Sequence, residues 1–312
     1  MSNRLRSIGT NPTIRNFARD ASQASIRKTA DFLAPTVEVP TLTGQYKVYD
    51  AKNRYRRPNA SRAAGGRATV IGFTAKDALY KLEPKALDFH IPDVETYNDE
   101  GLLDQAKYGA SLLADAAGLD HEMAVIETAL ASLGAGTEVN FAAADFDPIK
   151  YLSARIREVQ LLAKNGARIK MLVGPKFADL LVRNKYVVAQ FGSTPKAVRR
   201  PTLEDIAALL PGNPAIMESE MVYDAAPEGK EEDMKFLLDA DCIIFASNDT
   251  PNTMDPSFMK TFRLMGKWMV PGSYQTQDGR DEFLKMDWIE GVMVTNPAAA
   301  KRLVATEVAP QG

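Results

Sequence analysis

The stretch GQYKVYDAKNRYRRPNASRAAGGRATVIGFTA, from Gly44 to Ala75, sets the first constraint on the fold. It carries seven basic residues and one acidic residue, and strand-type residues stand mainly at its two ends. Loops longer than about fifteen residues in compact domains are usually functional or disordered. Tyr46, Tyr49 and Tyr55 alternate with the charges, and tyrosine and arginine are enriched where proteins contact each other. The stretch therefore predicts a long basic hairpin that contacts a partner, with a solvated charged loop as the simpler alternative.

The charge of the chain is divided unevenly between residues 1–85 and the rest. The formal net charge is −2, from 38 basic and 40 acidic residues. Residues 1–85 hold 16 of the basic and 6 of the acidic residues, a balance of +10, which leaves 22 basic and 34 acidic residues and a balance of −12. A basic arm therefore precedes an acidic body. A nucleic acid or the acidic body of a second copy would each complement this arm.

The bulk composition excludes several classes of protein. The 312 residues are 45% hydrophobic and 25% charged, which is ordinary for a globular chain that buries a full core as one elaborate domain or two smaller ones. No run of eighteen apolar residues is present, so the sequence predicts no membrane-spanning helix. The single cysteine, Cys242, stands in DCIIFAS. A buried strand thiol in a reducing compartment is the prediction, rather than a disulfide or a nucleophile.

The spacing of apolar residues predicts an α+β chain with one long helix. From about Asp99 to Leu133 they recur every three or four residues, which indicates one amphipathic helix or two nearly collinear ones with a break near Gly118. A short helix is expected within Arg15–Ala34, and a second long one over Asp147–Asn165. The expected core stripe of the long helix is Leu102, Ala106, Ala110, Leu113 and Ala117.

The remaining segments alternate without the regularity of a doubly wound sheet. We expect an extended segment over residues 32–50, a returning strand in GGRATVIGF and a further strand in ALYKLEPKALDFHIPDVE. Helices are predicted in PKFADLLVRN and TLEDIAALL, where Thr202 and Asp205 fit a capping box. Strands are predicted in ARIKMLVG, around residues 215–223, 236–238 and 242–246, and as separate closing strands in SFMKTFRLMG, DEFLKMDWIE and GVMVTNP.

The sequence carries no recognisable catalytic, cofactor or metal motif. No phosphate-binding loop, dinucleotide-binding fingerprint or nucleophile elbow is present. The two histidines, His90 and His121, limit histidine-based catalysis, and His121 is predicted to be a polar residue at a helix break. Asp145 and Asp147 are spaced like the start of a calcium loop, but the glycine and glutamate that complete one are missing. Asp147 before Pro148 is therefore predicted to cap a helix.

The order of these elements resembles the major capsid proteins of tailed bacteriophages, the fold typified by phage Hong Kong ninety-seven. The stretches ADFLAPTVEVPTLTGQYKVYD, GGRATVIGFTA and LEPKALDFHIPDVE look like the extended-loop region of capsid proteins encoded by phages and prophages, and MDWIEGVMVTNPAAAKRLVA is similar to the late return of that fold. The resemblance covers essentially the whole chain and rests on element order. It implies an α+β structural protein with no enzymatic activity and no cofactor.

The resemblance also implies a division into five regions. These are an N-terminal arm (1–40), an extended β-hairpin or E-loop (41–85), a peripheral domain with a long spine helix (86–166), an axial domain around hexamer and pentamer centres (167–280), and a return to the peripheral domain with the C-terminus (281–312). In such shells the E-loop lies across the neighbouring subunit. The partner of the basic hairpin would then be another copy of the same chain.

The function implied by the resemblance is self-assembly through hexamers and pentamers into an icosahedral shell around double-stranded DNA. The implied location is the virion, after assembly in the bacterial host cytoplasm. Further copies of the chain are the main partners, with a separate scaffold, a portal and decoration proteins as candidate additions, no membrane, and DNA enclosed without sequence-specific binding. The predicted subunit-interface residues are basic and tyrosine residues of the arm and E-loop: Arg4, Arg6, Arg15, Tyr46, Tyr49, Lys52, Arg54, Tyr55, Arg56, Arg57, Arg62 and Arg67.

Two alternatives stand beside the shell protein. The first is a nucleic-acid-binding protein that uses its basic arm, and its binding would weaken steeply with salt. The balance of −12 in the body argues against a broad nucleic-acid face. The second is an α+β enzyme of unrecognised type, such as a small hydrolase, for which the sequence offers no positive sign.

Overall fold

The computed structural model describes residues 28–49, 61–62, 65–67, 75–91, 102–143, 145–163, 167–191, 201–227, 229–253, 255–276 and 281–307. Within this part, the helices are α1 (Lys28–Leu33), α2 (Leu102–Leu133), α3 (Pro148–Ala163), α4 (Pro175–Arg183), α5 (Lys185–Phe191) and α6 (Leu203–Leu209). None of these helices has both the length and the apolar character that crossing a membrane requires.

The strands of the described residues follow in chain order. They are β1 (Thr36–Val39), β2 (Thr43–Tyr49), β3 (Ala75–Lys81), β4 (Glu83–Ile91), β5 (Thr137–Asn140), β6 (Arg168–Val173), β7 (Ala215–Glu218), β8 (Val222–Asp224), β9 (Met234–Phe236), β10 (Asp241–Ser247), β11 (Met259–Leu264), β12 (Val270–Gln275), β13 (Glu282–Val294) and β14 (Ala300–Thr306). A short 3-10 helix, Pro297–Ala299, precedes β14. The α+β class predicted from the sequence is confirmed.

The chain divides into two compact units, each built from three separate segments. Unit 1 comprises Met1–Gly44, Tyr80–Thr128 and Thr261–Met293. Unit 2 comprises Gln45–Leu79, Ala129–Lys260 and Val294–Gly312.

Strand β13 is the centre of the unit 1 sheet. The sheet has the order β1-β11-β13-β12, and β4 also pairs with β13. Strands β4 and β12 run antiparallel to β13, whereas β1 runs parallel to β11, with Thr36 opposite Thr261. Burial alternates along β13 with a period of two, the pattern of a strand with one face on a core. The buried positions are Glu282, Leu284, Met286, Trp288 and Glu290.

Helix α2 packs its predicted stripe on this sheet. Leu113, Ala114 and Ala117 belong to one buried cluster with Leu284 and Trp288. Ala106 and Ala110 are also buried, whereas the side chain of Leu102 lies outside the described residues. The helix runs without interruption through Gly118, so the alternative of two collinear helices is wrong. On the opposite face Asp115 is exposed, and Tyr108 and Leu112 are exposed although they are apolar.

Unit 2 is organised around the buried strand β10. Its sheet has the order β5-β14-β10-β6-β7, with β14 and β6 antiparallel to β10. Helix α3 buries one face, which includes Ile149, Leu152, Ile156 and Val159. Cys242 is fully buried in β10, where desolvation raises the pKa of its thiol. The prediction of an inert strand thiol agrees with this position.

Two predicted helix starts of unit 2 have the expected capping geometry. The Asp147 carboxylate accepts hydrogen bonds from the backbone N–H of Ile149 at 3.0 Å and of Lys150 at 3.2 Å. Thr202 and Asp205 form the reciprocal capping box at the start of α6, with bonds of 3.0 and 3.2 Å. Such caps satisfy backbone donors that have no partner within the helix.

Several predicted strand positions are wrong. The segments DEFLKMDWIE and GVMVTNP both contribute to one strand, β13. Gly291, at the junction of the two segments, lies within this strand, and the Lys81 backbone approaches it closely. A Cβ at Gly291 would lie 2.8 Å from the Lys81 carbonyl oxygen. Among the described residues, β2 pairs with β3. Of the predicted returning strand GGRATVIGF, Gly65–Arg67 is not strand, and residues 68–73 lie outside the described residues. Strands β5, β12 and β14 and helix α5 were not predicted.

The described part of the predicted N-terminal arm contains buried residues. Residues 1–27 lie outside the described residues, so most of the helix predicted within Arg15–Ala34 does too. In α1, Ala30 and Leu33 are fully buried, and Thr29 is 7% exposed. The sequence indicates too few apolar groups in residues 1–30 to build core, and that expectation is wrong for Thr29 and Ala30.

Two adjacent leucines of α2 test the assigned face of the helix. Leu113→Ala should lower the free energy of unfolding by about 2–5 kcal/mol, because the change removes buried side chain and leaves a cavity. Leu112→Ala is the matched control, since Leu112 is 46% exposed and Leu113 is 6% exposed. Its effect should stay below about 1 kcal/mol. Chemical denaturation of the two variants measures both values, and equal losses would contradict the assignment.

The buried carboxyl at the start of β13 predicts a pH dependence of stability. Burial raises the pKa of Glu282 from 4.5 to about 7, against a lowering by the hydrogen bond from Ser273. Between about pH 4.5 and 7 the Glu282 carboxyl is protonated in the folded state and ionised in the unfolded state. The free energy of unfolding therefore falls as pH rises through this range. Glu282→Gln removes this loss. Above pH 7 the variant should gain roughly 2–3 kcal/mol over wild type, and near pH 4 the two should agree.

Denaturation curves of wild type and Glu282→Gln across this pH range provide the measurement. Glu231→Gln, which changes an exposed glutamate, is the control and should follow the wild-type profile. A Glu282→Gln curve parallel to wild type at every pH would contradict the prediction.

Candidate subunit interface

The structure places few of the predicted interface residues. Arg4, Arg6, Arg15, Lys52, Arg54, Tyr55, Arg56 and Arg57 lie outside the described residues, as does the side chain of Tyr49. Arg62 and Arg67 are exposed, and Arg62 donates to the Gly66 carbonyl oxygen at 3.3 Å. Tyr46 is 8% exposed, and burial raises its pKa. Of the twelve side chains, the described residues therefore place those of Tyr46, Arg62 and Arg67.

The base of the basic hairpin is fixed by Tyr80. Its ring is 5% exposed and stacks on Phe262, with ring centroids 4.9 Å apart and an interplanar angle of 12°. Its hydroxyl lies 3.1 Å from the Thr41 hydroxyl. A Cβ at Gly44 would lie 2.4 Å from the Tyr80 hydroxyl oxygen, so glycine is needed where β2 begins. The start of β2 and the end of β3 are therefore held together within unit 1.

A buried ion cluster joins helix α2 to the unit 1 sheet. Glu290 of β13 is 2% exposed. A carboxylate oxygen of Glu290 lies 3.1 Å from His121 Nδ1, and Oε2 accepts from Arg263 Nη2 at 3.2 Å. Lys85 Nζ lies 4.0 Å from Glu290 Oε1 and 2.6 Å from Asp120 Oδ2. The prediction that His121 stands at a helix break is wrong, because it is buried within an uninterrupted helix.

The electrostatics of this cluster are those of a structural network. Burial alone would raise the pKa of Glu290, but the His121 hydrogen bond and the nearby His121, Arg263 and Lys85 charges lower it overall. The Arg263 guanidinium lies 3.4 Å from the centroid of the Trp268 ring, a cation–π contact. His121 meets the same ring edge-on, at 5.4 Å between centroids. Each charged group thus faces an opposite charge or an aromatic ring, which favours positioning over catalysis.

A second buried cation organises a loop of unit 2. Lys260 has a side-chain exposure of 0%, and its Nζ donates to the carbonyl oxygens of Asn252 at 2.6 Å and Asp255 at 2.8 Å. Nζ also lies 3.1 Å from Asp255 Oδ2. Burial lowers the Lys260 pKa, and Asp255 counteracts that shift. Among the described residues, no group of three or more His, Cys, Asp or Glu is arranged to hold a metal ion.

The sequence did not reveal the large apolar side chains that the structure leaves exposed. They are Leu79, Tyr108, Leu112, Leu161, Val222, Met234 and Phe236, among others, at 38% to 80% exposure. Single exposed apolar residues are common on protein surfaces, whereas groups of them mark contacts. A sequence pattern assigns such residues to a core, because it contains no information on which face has a partner.

Solved structures share this architecture over nearly the whole chain. A crystal structure of a phage-related protein from Bordetella bronchiseptica matches with a TM-score of 0.68 at 16% identity, covering 97% of this chain and 98% of that chain. The capsid of cyanophage P-SCSP1u matches with a TM-score of 0.54 at 12% identity, over 88% of this chain and 86% of that chain. The chain has the tailed-phage capsid fold.

A virus-like particle from Pyrococcus furiosus also has this capsid fold. It matches with a TM-score of 0.53 at 14% identity and covers 93% of this chain and 97% of that chain. No protein-family model matches the sequence, and neither does any curated protein. The fold implied by the resemblance is confirmed, and the similarity lies in structure at low sequence identity.

The ion cluster predicts a large difference between two acidic residues. Glu290→Gln should destabilise the protein by about 3–5 kcal/mol, because it leaves Arg263, whose side chain is only 11% exposed, without its counter-charge. Asp120→Asn is the control: the Asp120 side chain is 48% exposed, and its pair with Lys85 should contribute less than about 1 kcal/mol. Thermal and chemical denaturation measure both variants. A Glu290→Gln protein as stable as wild type would show that the cluster does not hold α2 on the sheet.

Proposed function

We propose that this chain is the major structural subunit of a phage or prophage shell. One observation carries the proposal, namely the match of nearly the entire chain to a phage-related protein and to a phage capsid. A match confined to one domain would be compatible with many functions, because folds are reused. A match over 97% of this chain and 98% of that chain is much more restrictive.

In this proposal the chain assembles through hexamers and pentamers into an icosahedral shell. Heterologous contacts between identical subunits close into rings and then into a cage. Each contact can be weak, because a docked subunit makes many at once and the later ones are effectively intramolecular. The charge division supports this arrangement, since the first 85 residues balance to +10 and the remainder to −12. The basic arm and E-loop of one copy would dock on the acidic body of the next.

We further propose how the regions of a shell subunit map onto the chain. The N-terminal arm is 1–40 and the E-loop is 41–85. Helix α2 acts as the spine of the peripheral domain, residues 86–166, to which residues 281–312 return. The axial domain is 167–280.

The shell would enclose double-stranded DNA without reading its sequence. The negative body supports enclosure over tight binding, because phosphate contacts need clustered lysine and arginine. Portal and decoration proteins, and a separate scaffold, are proposed partners besides the chain itself. The proposed location is the virion, with assembly in the bacterial host cytoplasm.

Particle size is the direct test of this function. The purified chain should sediment as megadalton particles, or as pentamers and hexamers that convert to them, and electron micrographs should show closed shells. A chain that stays monomeric at every concentration and salt condition would contradict the proposal.

A triple charge reversal tests the role of the E-loop. Arg54→Glu, Arg56→Glu and Arg57→Glu together should leave the subunit folded, since the sequence predicts a charged hairpin with no core face there, and surface substitutions usually change stability by less than about 0.5 kcal/mol. They should block particle formation, because like charges would face each other across the contact. Sedimentation and circular dichroism measure assembly and folding separately.

The matched control reverses three exposed basic residues of the body. Lys150→Glu, Arg157→Glu and Lys176→Glu change the net charge equally, and all three side chains are exposed. This control should assemble better than the E-loop variant. Normal particles from the E-loop variant would mean that the loop is a solvated face.

A further inference from the structure

A small two-stranded ribbon in unit 2 presents an apolar face. Strands β8 and β9 pair antiparallel with each other and with no other described strand. Val222 lies opposite Phe236, and Asp224 lies opposite Met234. Directly opposed residues share a face of an antiparallel pair, and alternate residues return to it. Val222, Phe236 and Met234 therefore lie on one face, together with Asp224.

This face is open to solvent in the subunit. Val222 is 38% exposed, Phe236 is 46% exposed and Met234 is 57% exposed. Three large apolar side chains on one face of a six-residue ribbon form a continuous patch, in contrast to apolar residues that are exposed singly. Patches of this kind on a soluble protein mark places where another molecule binds.

Hydrogen bonds and buried residues fix both ends of the ribbon. The Asp224 carboxylate accepts from the backbone N–H of Ala226 at 2.8 Å and of Asp233 at 2.9 Å. These two bonds lower the Asp224 pKa. At the other end the N–H of Leu237 donates to Met221 O at 2.8 Å, and Met221 and Leu238 are buried. An isolated two-stranded hairpin is marginal in water, and here both ends are fixed.

We propose that this apolar ribbon face docks onto a second copy of the same chain. The inference rests on the proposed shell function and names a contact surface for it. Three side chains cover far less than the roughly 800 Å² per partner of a stable stand-alone interface. A patch of that size suits a contact repeated in a closed homomeric assembly, where other contacts hold the copies together.

The charges around the ribbon also favour a protein partner. The connection between the strands carries Lys230, Glu231, Glu232 and Asp233, all exposed, and Lys235 follows in β9. Acidic groups outnumber basic ones there, which opposes binding to DNA phosphates. An apolar centre with a polar rim of mixed charge is the usual composition of a protein–protein contact.

The first experiment removes apolar side chains from the ribbon face and leaves Asp224, Met221 and Leu238, at the two ends of the ribbon, unchanged. The double variant Met234→Ser and Phe236→Ser should fold with an unchanged melting temperature, and its fraction in particles should fall at least tenfold. Leu161→Ser is the control, since Leu161 is 80% exposed on α3 and is not part of the ribbon. It should assemble as wild type does. Normal assembly of the double variant, or equal loss in both variants, would overturn the inference.

The second experiment identifies the occupant directly and does not depend on a destabilising change. Met234→Cys introduces a thiol at an exposed position, while the native Cys242 is fully buried. A benzophenone maleimide attached at that position should, on irradiation of assembled protein, give covalent dimers whose cross-linked peptide belongs to another copy of this chain. Cross-links to DNA, to a different protein or only within one chain would overturn the inference.

These outcomes separate the inference from the function on which it rests. If wild-type chains form shells and the ribbon neither cross-links between copies nor affects assembly, the ribbon contact is wrong and the shell function stands. If wild-type chains form no shell under any condition, the shell function fails and the inference fails with it.

Discussion

The alternation of buried and exposed residues along β13 is the constraint on which unit 1 depends. Leu284, Met286 and Trp288 lie under α2, while Lys285 and Asp287 between them are only half-buried and pair with each other at 2.8 Å. A slip of one residue would place that lysine and aspartate beneath the helix. Burying charges without compensation costs several kcal/mol. The register of the flanking strands and the packing position of α2 both follow from this alternation of buried and exposed residues along β13.

The same buried face begins and ends in a carboxylate, and the two are stabilised in different ways. Glu290 is held by Arg263 and His121, and its pKa is lowered. Glu282 has a hydrogen bond from Ser273, and burial raises its pKa to about 7. One end of the strand therefore stays ionised at neutral pH while the other titrates there. A subunit built in this way has its charged anchor next to α2 and its pH-sensitive group at the far end of the strand.

The features predicted correctly from the sequence are those set by local rules. The stripe of α2, the Asp147 cap and the Thr202–Asp205 capping box depend on residues a few positions apart, so spacing alone indicates them. The partner of His121 lies 169 residues away, and no local pattern points to it. The closing strands DEFLKMDWIE and GVMVTNP were predicted separately, and the close approach of Lys81 to Gly291 within their single strand is a tertiary contact that no local pattern shows. Of the twelve predicted interface residues, the structure shows Arg62 and Arg67 exposed and Tyr46 buried. The apolar ribbon was missed because short strands with apolar residues indicate core.

The interleaving of the two units has a consequence for synthesis on the ribosome. Each unit is made of three segments that alternate along the chain, and Val294–Gly312 supplies the last of them. Strand β1 pairs with β11, so the first strand of unit 1 emerges long before its partner is made. The unit 1 sheet needs β13 and the unit 2 sheet needs β14, and pairings of such long range are formed late and slowly. A product truncated before β13 would therefore lack the last strands of both sheets, and the surfaces that join copies would be displayed by finished chains.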